Sequence, residues 1–303
     1  MAIFLGIDGG GSKTSCLIGD EHSMLGSGVA AGSNVVRVGE NSAKEALASA
    51  IQRACAAAKI TPSQIDRTSI GVAGAARPEV SEIVRRMLAE MVSGRIEVVG
   101  DMVIALEAAF GSGPGVIVIA GTGSIAYGRN SKGETARAGG WGFAVSDEGS
   151  GHWIGRAAVS AALRARDEGE EPRARLFENI LEFWHLENHE QLVLAANAAP
   201  QPDFAALFPA ALAAAESGDA AALAVLSQAG EELANLAKTV MRRIFRNTKG
   251  VPVAMSGGVF ENSALVRQVF YNSLQAEHSQ ILLNETVVDP VRGALERARR
   301  GAR

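Results

Sequence analysis

The chain has 303 residues, a length that allows two domains, each with a core of its own. Hydrophobic residues make up 47% and charged residues 20%, and the net charge is −4 without a long basic run, which argues against nucleic acid or an anionic membrane as partner. The longest apolar stretch, residues 116–120, is too short to span a bilayer. The first residues enter a strand without a basic region or cleavage site, so we do not expect secretion. Cys16 and Cys55 show neither a metal-ligand spacing nor a disulfide framework. Taken together, these features fit a cytoplasmic enzyme.

The first part of the chain, taken in order, predicts a mixed α/β domain. Runs of strand length, apolar or alternating, stand at residues 3–7, 14–19, 24–30, 68–72 and 95–99. Apolar residues recur at helical spacing over residues 43–58, 80–91 and 101–110. The resulting order, βββαβαβα, builds a mixed sheet with helices on its faces.

The glycine run from Gly6 to Thr14 is almost a P-loop, but Ser12 stands where the lysine is required. A P-loop must open a helix, and here a short alternating strand follows, so the P-loop interpretation fails. A glycine hairpin can still bind phosphate through its backbone amides, with hydroxyl donors from Ser12 and Thr14. Asp8 would then lie near the phosphates, where a hydrated Mg²⁺ would be needed; the alternative is a tight turn with an Asp cap.

The opening pattern recurs in the second half of the chain. Gly9-x-Gly11-Ser12 returns as Gly121-x-Gly123-Ser124, with Ile7 aligned on Ile119. Further strands are predicted at 115–120, after the second glycine motif and ending near 129, and at 135–138, 251–255 and 280–283. Helices are predicted at 261–275 and 291–300. An alanine-rich helical insertion runs from 151 to about 246.

This duplication predicts two sister domains rather than a solenoid. We expect an N-terminal domain at 1–112 and a C-terminal domain at 113–303, with the insertion at 151–246 and the final helix, 291–303, packing back on the N-terminal domain. Two hairpins that face one cleft would form a phosphate clamp. In the insertion, His185 and His189 are predicted to lie in one helix as solvated or packing residues, and His152 likewise lacks the companions of a metal site.

Motifs in a fixed order along nearly the whole chain carry a family resemblance. The chain resembles the sugar kinase, actin and heat-shock chaperone superfamily, and within it the N-acetylglucosamine kinases of the BadF/BadG/BcrA/BcrD ATPase family. The most specific combination is Gly-Gly-Trp-Gly followed by Asp-Glu-Gly-Ser. The matching segments are residues 6–14, 32–34, 100–101, 121–124, 139–142, 146–150 and 256–259.

The resemblance implies a fold class of α/β with two ribonuclease H-like (actin-like ATPase) domains. It also implies ATP and Mg²⁺, with Asp8 as the metal ligand. The ATP-binding residues that it implies are Gly10, Gly11, Ser12, Lys13, Thr14, Gly121, Thr122, Gly123, Gly257 and Gly258. From local sequence alone, the pair Gly257-Gly258 fits a simple strand-to-helix turn equally well.

The resemblance further implies an amino-sugar kinase that phosphorylates the 6-hydroxyl of N-acetylglucosamine or a related sugar. The substrate-binding residues would be Asn34, Asp101, Ser124, Gly139, Gly140, Trp141, Gly142 and Asp147. Asp101 follows a strand at the head of a helix and would be the catalytic base. The structural alternatives are a turn or cap for Asn34, a helix N-cap for Asp101 and for Asp147, and a buried aromatic in a glycine loop for Trp141.

One departure from the family leaves the substrate open. Ile125 stands where some N-acetylglucosamine kinases have a polar residue after the second glycine motif, so glucosamine or a sugar of the N-acetylmuramate type remain alternatives. The rival functions are an ATPase that activates a 2-hydroxyacyl-CoA dehydratase and a non-kinase ATP switch of the actin or chaperone type. The zinc motif of the repressor-related sugar kinases is missing, and the family implies a homodimer.

Overall fold

The computed structural model describes residues 2–169, 175–246, 248, 250–278 and 281–301. Its contacts divide the chain into two compact units. The first unit holds the described residues within Met1–Ile117, Arg129–Gly133 and Val288–Arg303, and the second those within Val118–Gly128 and Glu134–Val287. Each unit is built on a five-stranded sheet, which confirms the predicted α/β fold class.

The strands follow the chain in two groups of five. In the first sheet they are β1 (Phe4–Gly9), β2 (Lys13–Gly19), β3 (Met24–Ala31), β4 (Arg67–Val72) and β5 (Arg95–Gly100), in the spatial order β3-β2-β1-β4-β5. In the second they are β6 (Gly115–Ala120), β7 (Ser124–Arg129), β8 (Thr135–Gly139), β9 (Pro252–Ser256) and β10 (Leu282–Val288), in the order β10-β9-β6-β7-β8. The two orders are equivalent, so the predicted duplication is present in the fold. The strand predicted at 280–283 begins at Leu282, and position 280 lies outside the described residues.

The helices of the described residues complete both units. They are α1 (Val35–Val38), α2 (Glu40–Ala58), α3 (Pro78–Ala89), α4 (Asp101–Phe110), α5 (Gly151–Asp167), α6 (Arg175–Phe183), α7 (His189–Ala196), α8 (Phe208–Glu216), α9 (Ala220–Ile244), α10 (Gly258–Asn262), α11 (Ala264–Glu277) and α12 (Pro290–Arg300). Helices α5 to α9 form the predicted alanine-rich insertion between β8 and β9. Within the described residues no single helix is long and apolar enough to cross a membrane, although the bent pair Phe204–Glu216 and Ala220–Ile244 meets the length and composition criteria together.

The first sheet is covered on both faces, because its central strand β1 is apolar on both sides. Leu5 and Ile7 are fully buried in a cluster with Leu47 and Ile51 of α2 and with residues of α3. Phe4 points to the opposite face and packs with the final helix, α12. β1 is antiparallel to β2 and parallel to β4, and β4 is parallel to β5.

Helix α12, at the end of the chain, belongs to the first unit. A Cβ on Gly6 would lie 2.3 Å from the backbone nitrogen of Leu295, so only glycine allows this close approach of helix to strand. Arg297 makes a bidentate ion pair with Glu97 on β5, at 2.9 Å from Nε and 2.8 Å from Nη2. Arg300 forms an ion pair with Glu107 of α4. These contacts join the last described helix to the first strands.

Two local sequence predictions are wrong. The helix predicted at 261–275 is interrupted at Ser263, whose hydroxyl accepts a hydrogen bond from Val266 N at 3.3 Å and so starts a new helix, α11. His185 lies outside a helix, between α6 and α7, with a positive φ of 55°, while His189 opens α7. The side-chain oxygen of Asn188 caps α7 and thereby separates the two helices.

The central strands of the two sheets, β1 and β6, resemble each other in burial. Strands β1 and β6 have the same burial sequence, in which the fifth of six residues alone is half-buried. This residue is Asp8 in β1 and Ile119 in β6. The second hairpin therefore has an apolar side chain where the first has a carboxylate.

Candidate active site

The first hairpin has a tight glycine turn between β1 and β2. The backbone nitrogen of Gly10 donates to the carbonyl of Lys13 at 3.0 Å, and the carbonyl of Gly10 accepts from Ser33 N at 3.1 Å and from Asn34 N at 3.2 Å. Ser12 and Lys13 are exposed at the tip. The turn thus holds the segment after β3 in place and presents Gly11, Ser12 and Lys13 to a ligand, which fits an anion-binding hairpin.

Thr14 does not fit the predicted role of a phosphate donor. Its side chain is fully buried, and its hydroxyl donates to the carbonyl of Ala31 at 2.7 Å and lies 2.8 Å from the hydroxyl of Ser33. A threonine hydroxyl has one proton, and here that proton is directed at Ala31. The structure therefore gives Thr14 a positioning role beneath the turn, and leaves Ser12 as the hydroxyl at its tip.

Asp8 and Asp101 belong to the same edge of the first sheet. Gly9, Val72 and Gly100 are in register at the carboxyl ends of the parallel strands β1, β4 and β5. Asp8 precedes this row and Asp101 follows it. Because neighbouring strands are about 4.8 Å apart, two strand spacings place these residues on the order of 10 Å from each other. The carboxyl ends of parallel strands are where open α/β sheets bind their ligands.

The surroundings of Asp8 are compatible with Mg²⁺ that arrives with a phosphate. The residue is half-buried, and it pairs with Ser15 of β2 and Gly71 of β4. In the described part of the chain no group of three or more His, Cys, Asp or Glu side chains is arranged to hold a metal. Mg²⁺ is commonly bound by one or two carboxylates together with phosphate oxygens and water, so a single carboxylate at this position fits such an ion.

Asp101 is the first residue of α4 rather than its N-cap. Gly100 occupies the cap position, so the structural alternative proposed for Asp101 is wrong. The Oδ1 atom accepts a hydrogen bond from Met102 N at 2.9 Å. Burial raises the pKa of the Asp101 carboxyl, while the backbone N–H groups of Met102 and of Asp101 itself lower it. A carboxylate whose pKa is raised is a better proton acceptor, as a general base requires.

Asn34 caps a helix, as its structural alternative stated. It stands at the N-cap of the short helix α1, where its Oδ1 accepts from Val36 N at 3.1 Å. This bond fixes the orientation of the amide and leaves the NH₂ group as the part that can donate to a ligand. Capping and ligand binding are therefore compatible at this residue.

The second hairpin is held by the start of α5. Gly121 N donates to Gly123 O at 3.0 Å, while the carbonyls of Gly121 and Thr122 accept from Gly151 N at 2.8 Å and His152 N at 3.2 Å. The N-cap of α5 is Ser150, whose hydroxyl accepts from Trp153 N at 3.2 Å. The helix therefore begins four residues after Asp147, and the interpretation of Asp147 as its cap is wrong.

Asp147 lies directly beneath the second hairpin. It is buried and has a positive φ of 68°, a conformation that few non-glycine residues adopt. A Cβ on Gly123 would be 2.8 Å from its Oδ2 atom, so a larger residue there would displace the carboxylate. Ser124, also buried, donates to the carbonyl of Glu148 at 2.7 Å. The predicted sugar residues Ser124 and Asp147 are thus brought together with the turn at Gly123.

Trp141 is exposed, so the interpretation as a buried aromatic is wrong. Its exposed fraction is 69%, and the glycines beside it have φ values of 70° at Gly140 and 99° at Gly142. Behind the loop, a Cβ on Gly140 would be 2.7 Å from the Cδ1 atom of Ile125. An exposed indole on a loop that only glycines can build is suited to contact a ligand ring.

Two features of this loop were not predicted from the sequence. The guanidinium carbon of Arg137 lies 4.0 Å from the centre of the Trp141 ring. Phe143 packs on His152 with ring centres 4.9 Å apart, and His152 in turn packs on Phe204 at 5.5 Å. His152 therefore serves in packing, as expected. Polar and apolar residues alternate along β8, which could have indicated that Arg137 lies on a polar face of the strand. Nothing in the sequence indicated that Arg137 would stack on Trp141.

Gly257 and Gly258 join β9 to α10, in agreement with the predicted strand-to-helix turn. Gly257 has a φ of 99°, and a Cβ there would lie 2.5 Å from the carbonyl oxygen of Ala120 at the end of β6. Gly258 opens α10, and a Cβ on it would meet its nearest neighbour, the side-chain nitrogen of Asn262, only at 3.9 Å. The space over Gly258 would let a nucleotide approach the backbone closely.

Sheets of this order, each with a glycine hairpin between its first two strands, define the fold of the actin-like ATPases and sugar kinases. A sequence profile of the BadF/BadG/BcrA/BcrD ATPase family matches residues 5–298, and the chain belongs to that family. Membership of an ATPase family implies that ATP is a substrate.

Within this family, the chain is similar to proteins named as amino-sugar kinases. The chain is 33% identical over 303 residues to the N-acetylmuramic acid/N-acetylglucosamine kinase of Clostridium acetobutylicum, with 99% of each chain covered. It is 29% identical over 307 residues to the N-acetyl-D-glucosamine kinase of Dictyostelium discoideum, with 96% of each covered. A solved structure from Chromobacterium violaceum, described as a candidate N-acetylglucosamine kinase, is 26% identical with a TM-score of 0.75 and 98% of each chain covered.

Proposed function

We propose that this protein is an ATP-dependent amino-sugar kinase that phosphorylates the primary hydroxyl of N-acetylglucosamine or a related sugar. The observation that carries the proposal is the full-length similarity, at 33% identity, to a kinase of N-acetylmuramic acid and N-acetylglucosamine. The site geometry supports it, because each motif that the resemblance assigns to sugar or nucleotide lies at a turn or strand end.

In this proposal the two glycine hairpins bind the phosphates of ATP. The amides at Gly11 and Ser12 and those at Thr122 and Gly123 would donate to phosphate oxygens, and Lys13 would add a positive charge. Asp8 would hold Mg²⁺, which neutralises charge on the transferred phosphoryl group when bound. Gly257, held against Ala120, would let the adenosine lie on backbone.

Asp101 would accept the proton of the sugar hydroxyl as the new bond to phosphorus forms. Its position after β5 and its raised pKa both suit a base that must hold a proton briefly. Asn34 and Asp147 would hold ring hydroxyls through an amide donor and a carboxylate acceptor. Because most catalysis of phosphoryl transfer comes from positioning and electrostatics, these contacts matter as much as the base.

The rival role as a dehydratase activator requires cysteine thiolates that hold an iron–sulfur cluster. Cys16 and Cys55 are both buried in the core of the first unit. Burial, the neighbouring Cys55 and the charge of Asp8 all raise the pKa of the Cys16 thiol, and burial raises that of Cys55. Buried thiols that resist ionisation are poor cluster ligands, which favours the kinase.

The test is a panel of hexoses and amino sugars, each incubated with the purified protein and Mg·ATP, with ADP release measured and the product identified by NMR. We expect N-acetylglucosamine or N-acetylmuramate to stimulate ADP release and to become a 6-phosphate. ATP hydrolysis that no sugar stimulates would contradict the proposal and would favour an ATP switch. Replacing Mg²⁺ by excess chelator should abolish turnover.

The remaining expectations concern the setting of the enzyme. Because ATP and sugar are cytosolic metabolites, we expect the protein to act in the cytoplasm. The family resemblance further predicts a homodimer, which light scattering of the purified full-length protein would test directly.

A further inference from the structure

The loop that carries Trp141 contains a cation with no acidic partner among the described residues. Arg137, on strand β8, is half-buried, and its guanidinium lies 4.0 Å from the centre of the Trp141 ring. Several other arginines are paired with carboxylates: Arg297 with Glu97, for example, and Arg300 with Glu107. Within the part of the chain that the structure describes, no carboxylate forms an ion pair with Arg137. The charge is therefore held in place by an indole rather than by an anion.

Stacking on Trp141 fixes the plane of the Arg137 guanidinium and leaves its N–H groups available to donate hydrogen bonds. A guanidinium that lies over an aromatic ring can still donate hydrogen bonds in its own plane, where it binds a carboxylate in a bidentate manner. The opposite end of the residue is also held, because Arg243 donates to the carbonyl oxygen of Arg137 at 2.7 Å. Arg243 therefore brings a second guanidinium group to this strand.

The position of this pair coincides with the segment assigned to the sugar. Trp141 is 69% exposed beside Gly140, and Gly140 packs closely on Ile125. Ile125 has no polar group to offer a sugar, so recognition at this side falls to the residues around the loop. N-acetylmuramate is N-acetylglucosamine with a lactyl ether, and its carboxylate is the group that distinguishes the two sugars.

We propose that Arg137, stacked on Trp141, binds the carboxylate of an acidic amino sugar such as N-acetylmuramate, and so sets the preference of the enzyme between acidic and neutral amino sugars. This inference rests on the proposed kinase function and names its specificity residue. Trp141 acts as the positioning partner that keeps the guanidinium flat. The neutral sugar N-acetylglucosamine would use the same site without this contact.

The experiment compares kcat/KM for N-acetylmuramate and for N-acetylglucosamine in the wild type and in Arg137→Gln. A hydrogen bond to a charged group corresponds to roughly 10- to 100-fold in a binding constant. We therefore expect Arg137→Gln to lower the ratio of the two kcat/KM values, N-acetylmuramate over N-acetylglucosamine, by about that factor, mainly through KM. Arg137→Lys keeps the charge but loses the planar fork, and should lower the ratio less.

The matched control is Arg246→Gln, which removes an exposed positive charge of the same unit at a distance in sequence from the loop. It should keep the ratio of the wild type. Raising the salt concentration should increase the KM for N-acetylmuramate more than that for N-acetylglucosamine, because only the first contact is ionic. Calorimetric titration with N-acetylmuramate in the absence of ATP compares the binding constants of the wild type and of Arg137→Gln without the phosphoryl-transfer step.

Each result distinguishes this inference from the function on which it rests. A wild type that phosphorylates N-acetylglucosamine but neither binds nor phosphorylates N-acetylmuramate overturns the inference and leaves the kinase in place. An Arg137→Gln protein that loses both activities equally also overturns it, because Arg137 would then serve only to support the loop. A wild type that phosphorylates no amino sugar overturns both proposals.

Discussion

Burial and the start of a helix act on the Asp101 carboxylate in opposite directions. Burial raises its pKa, and the backbone N–H groups at the head of α4 lower it, with burial the stronger influence. A carboxylate near a helix N-terminus is stabilised in its charged form, and a desolvated one is not. Because burial is the stronger influence, Asp101 is a stronger base than an exposed aspartate.

We expect Asp101→Asn to lower turnover by about 10²–10⁴-fold, because an amide cannot accept the hydroxyl proton. ATP binding, measured by calorimetry, should persist. In the wild type, activity should fall as the pH drops through the raised pKa of Asp101, above the usual aspartate range, since the protonated acid cannot act as a base. The matched control is Glu79→Gln, an exposed acid in the first turn of α3, which should leave turnover unchanged. Near-normal turnover of a folded Asp101→Asn protein would show that another group accepts the proton.

The same substitution should raise stability. A carboxyl whose pKa is higher in the folded than in the unfolded state stabilises the fold only while protonated. This contribution is present below the unfolded pKa and is lost as the pH rises through the folded pKa. At pH 7, which lies above the unfolded pKa of an aspartate, Asp101 therefore costs stability, and neutral Asn removes that cost. Thermal unfolding should give a higher Tm for Asp101→Asn at pH 7, with a difference that shrinks toward pH 4. A lower Tm at pH 7 would mean that the helix N-terminus outweighs burial.

At the scale of elements, helix α12 combines two kinds of contact with the first unit. Leu295 is 2% exposed and packs against Phe4 and the glycine at position 6. Arg297 forms its ion pair with Glu97 where both side chains are about one-third exposed, at 31% and 29%. Apolar burial and a partly exposed ion pair differ in how much they stabilise a fold.

We expect Leu295→Ala to destabilise the protein by about 2–5 kcal/mol, the cost of a large-to-small change in a core. Arg297→Ala should cost about 1 kcal/mol or less, because solvent screens the pair, although its bidentate geometry keeps some of the benefit. Urea unfolding of both variants measures the order. A larger loss for Arg297→Ala than for Leu295→Ala would show that the ion pair, and not the apolar contact, holds α12.

The sequence predicted elements best where apolar periodicity determines them. The strands of both sheets and helix α2 follow from runs and spacings that burial alone enforces. It failed where one side chain competes with the pattern. Ser263 caps a new helix inside an apolar run, and the cap at Asn188 leaves His185 in a turn. Such capping hydrogen bonds determine where a helix begins, and they do not appear in the spacing of apolar residues.

The site shows the same division. Some glycine turns were predictable because glycine readily adopts a positive φ, as at Gly140 and Gly257. Side-chain environments were not, since they depend on neighbours distant in sequence. The hydroxyl of Thr14 donates its hydrogen bond to the carbonyl oxygen of Ala31. Trp141 is exposed, and the guanidinium of Arg137 lies over its ring. These contacts follow from strand pairing and loop direction, which no local motif encodes.

At the scale of the whole chain, the first unit is assembled from both ends of the sequence. Its strands lie within the first hundred residues, while α12 comes from Pro290–Arg300 and covers the face of the sheet opposite α2. A Cβ on Gly293 would lie 1.9 Å from the carbonyl oxygen of Ile104, so α12 packs against α4 as closely as backbone allows. The first unit therefore cannot complete its core until the last helix has been made.

We predict that a chain ending at residue 289 fails to form a stable first unit, because it leaves Phe4 and the inner side of α4 exposed to water. The truncated chain should aggregate or bind the dye ANS, and its first unit should be cleaved by protease within the first 117 residues. Adding a synthetic peptide of residues 288–303 should restore protection in proportion to its concentration, since it binds only the folded form. The matched control is a peptide with Leu295→Ala, which should rescue less. Protease resistance of the truncated chain without any peptide would show that α12 is dispensable, and that the packing at Gly6 and Gly293 contributes little to the stability of the unit.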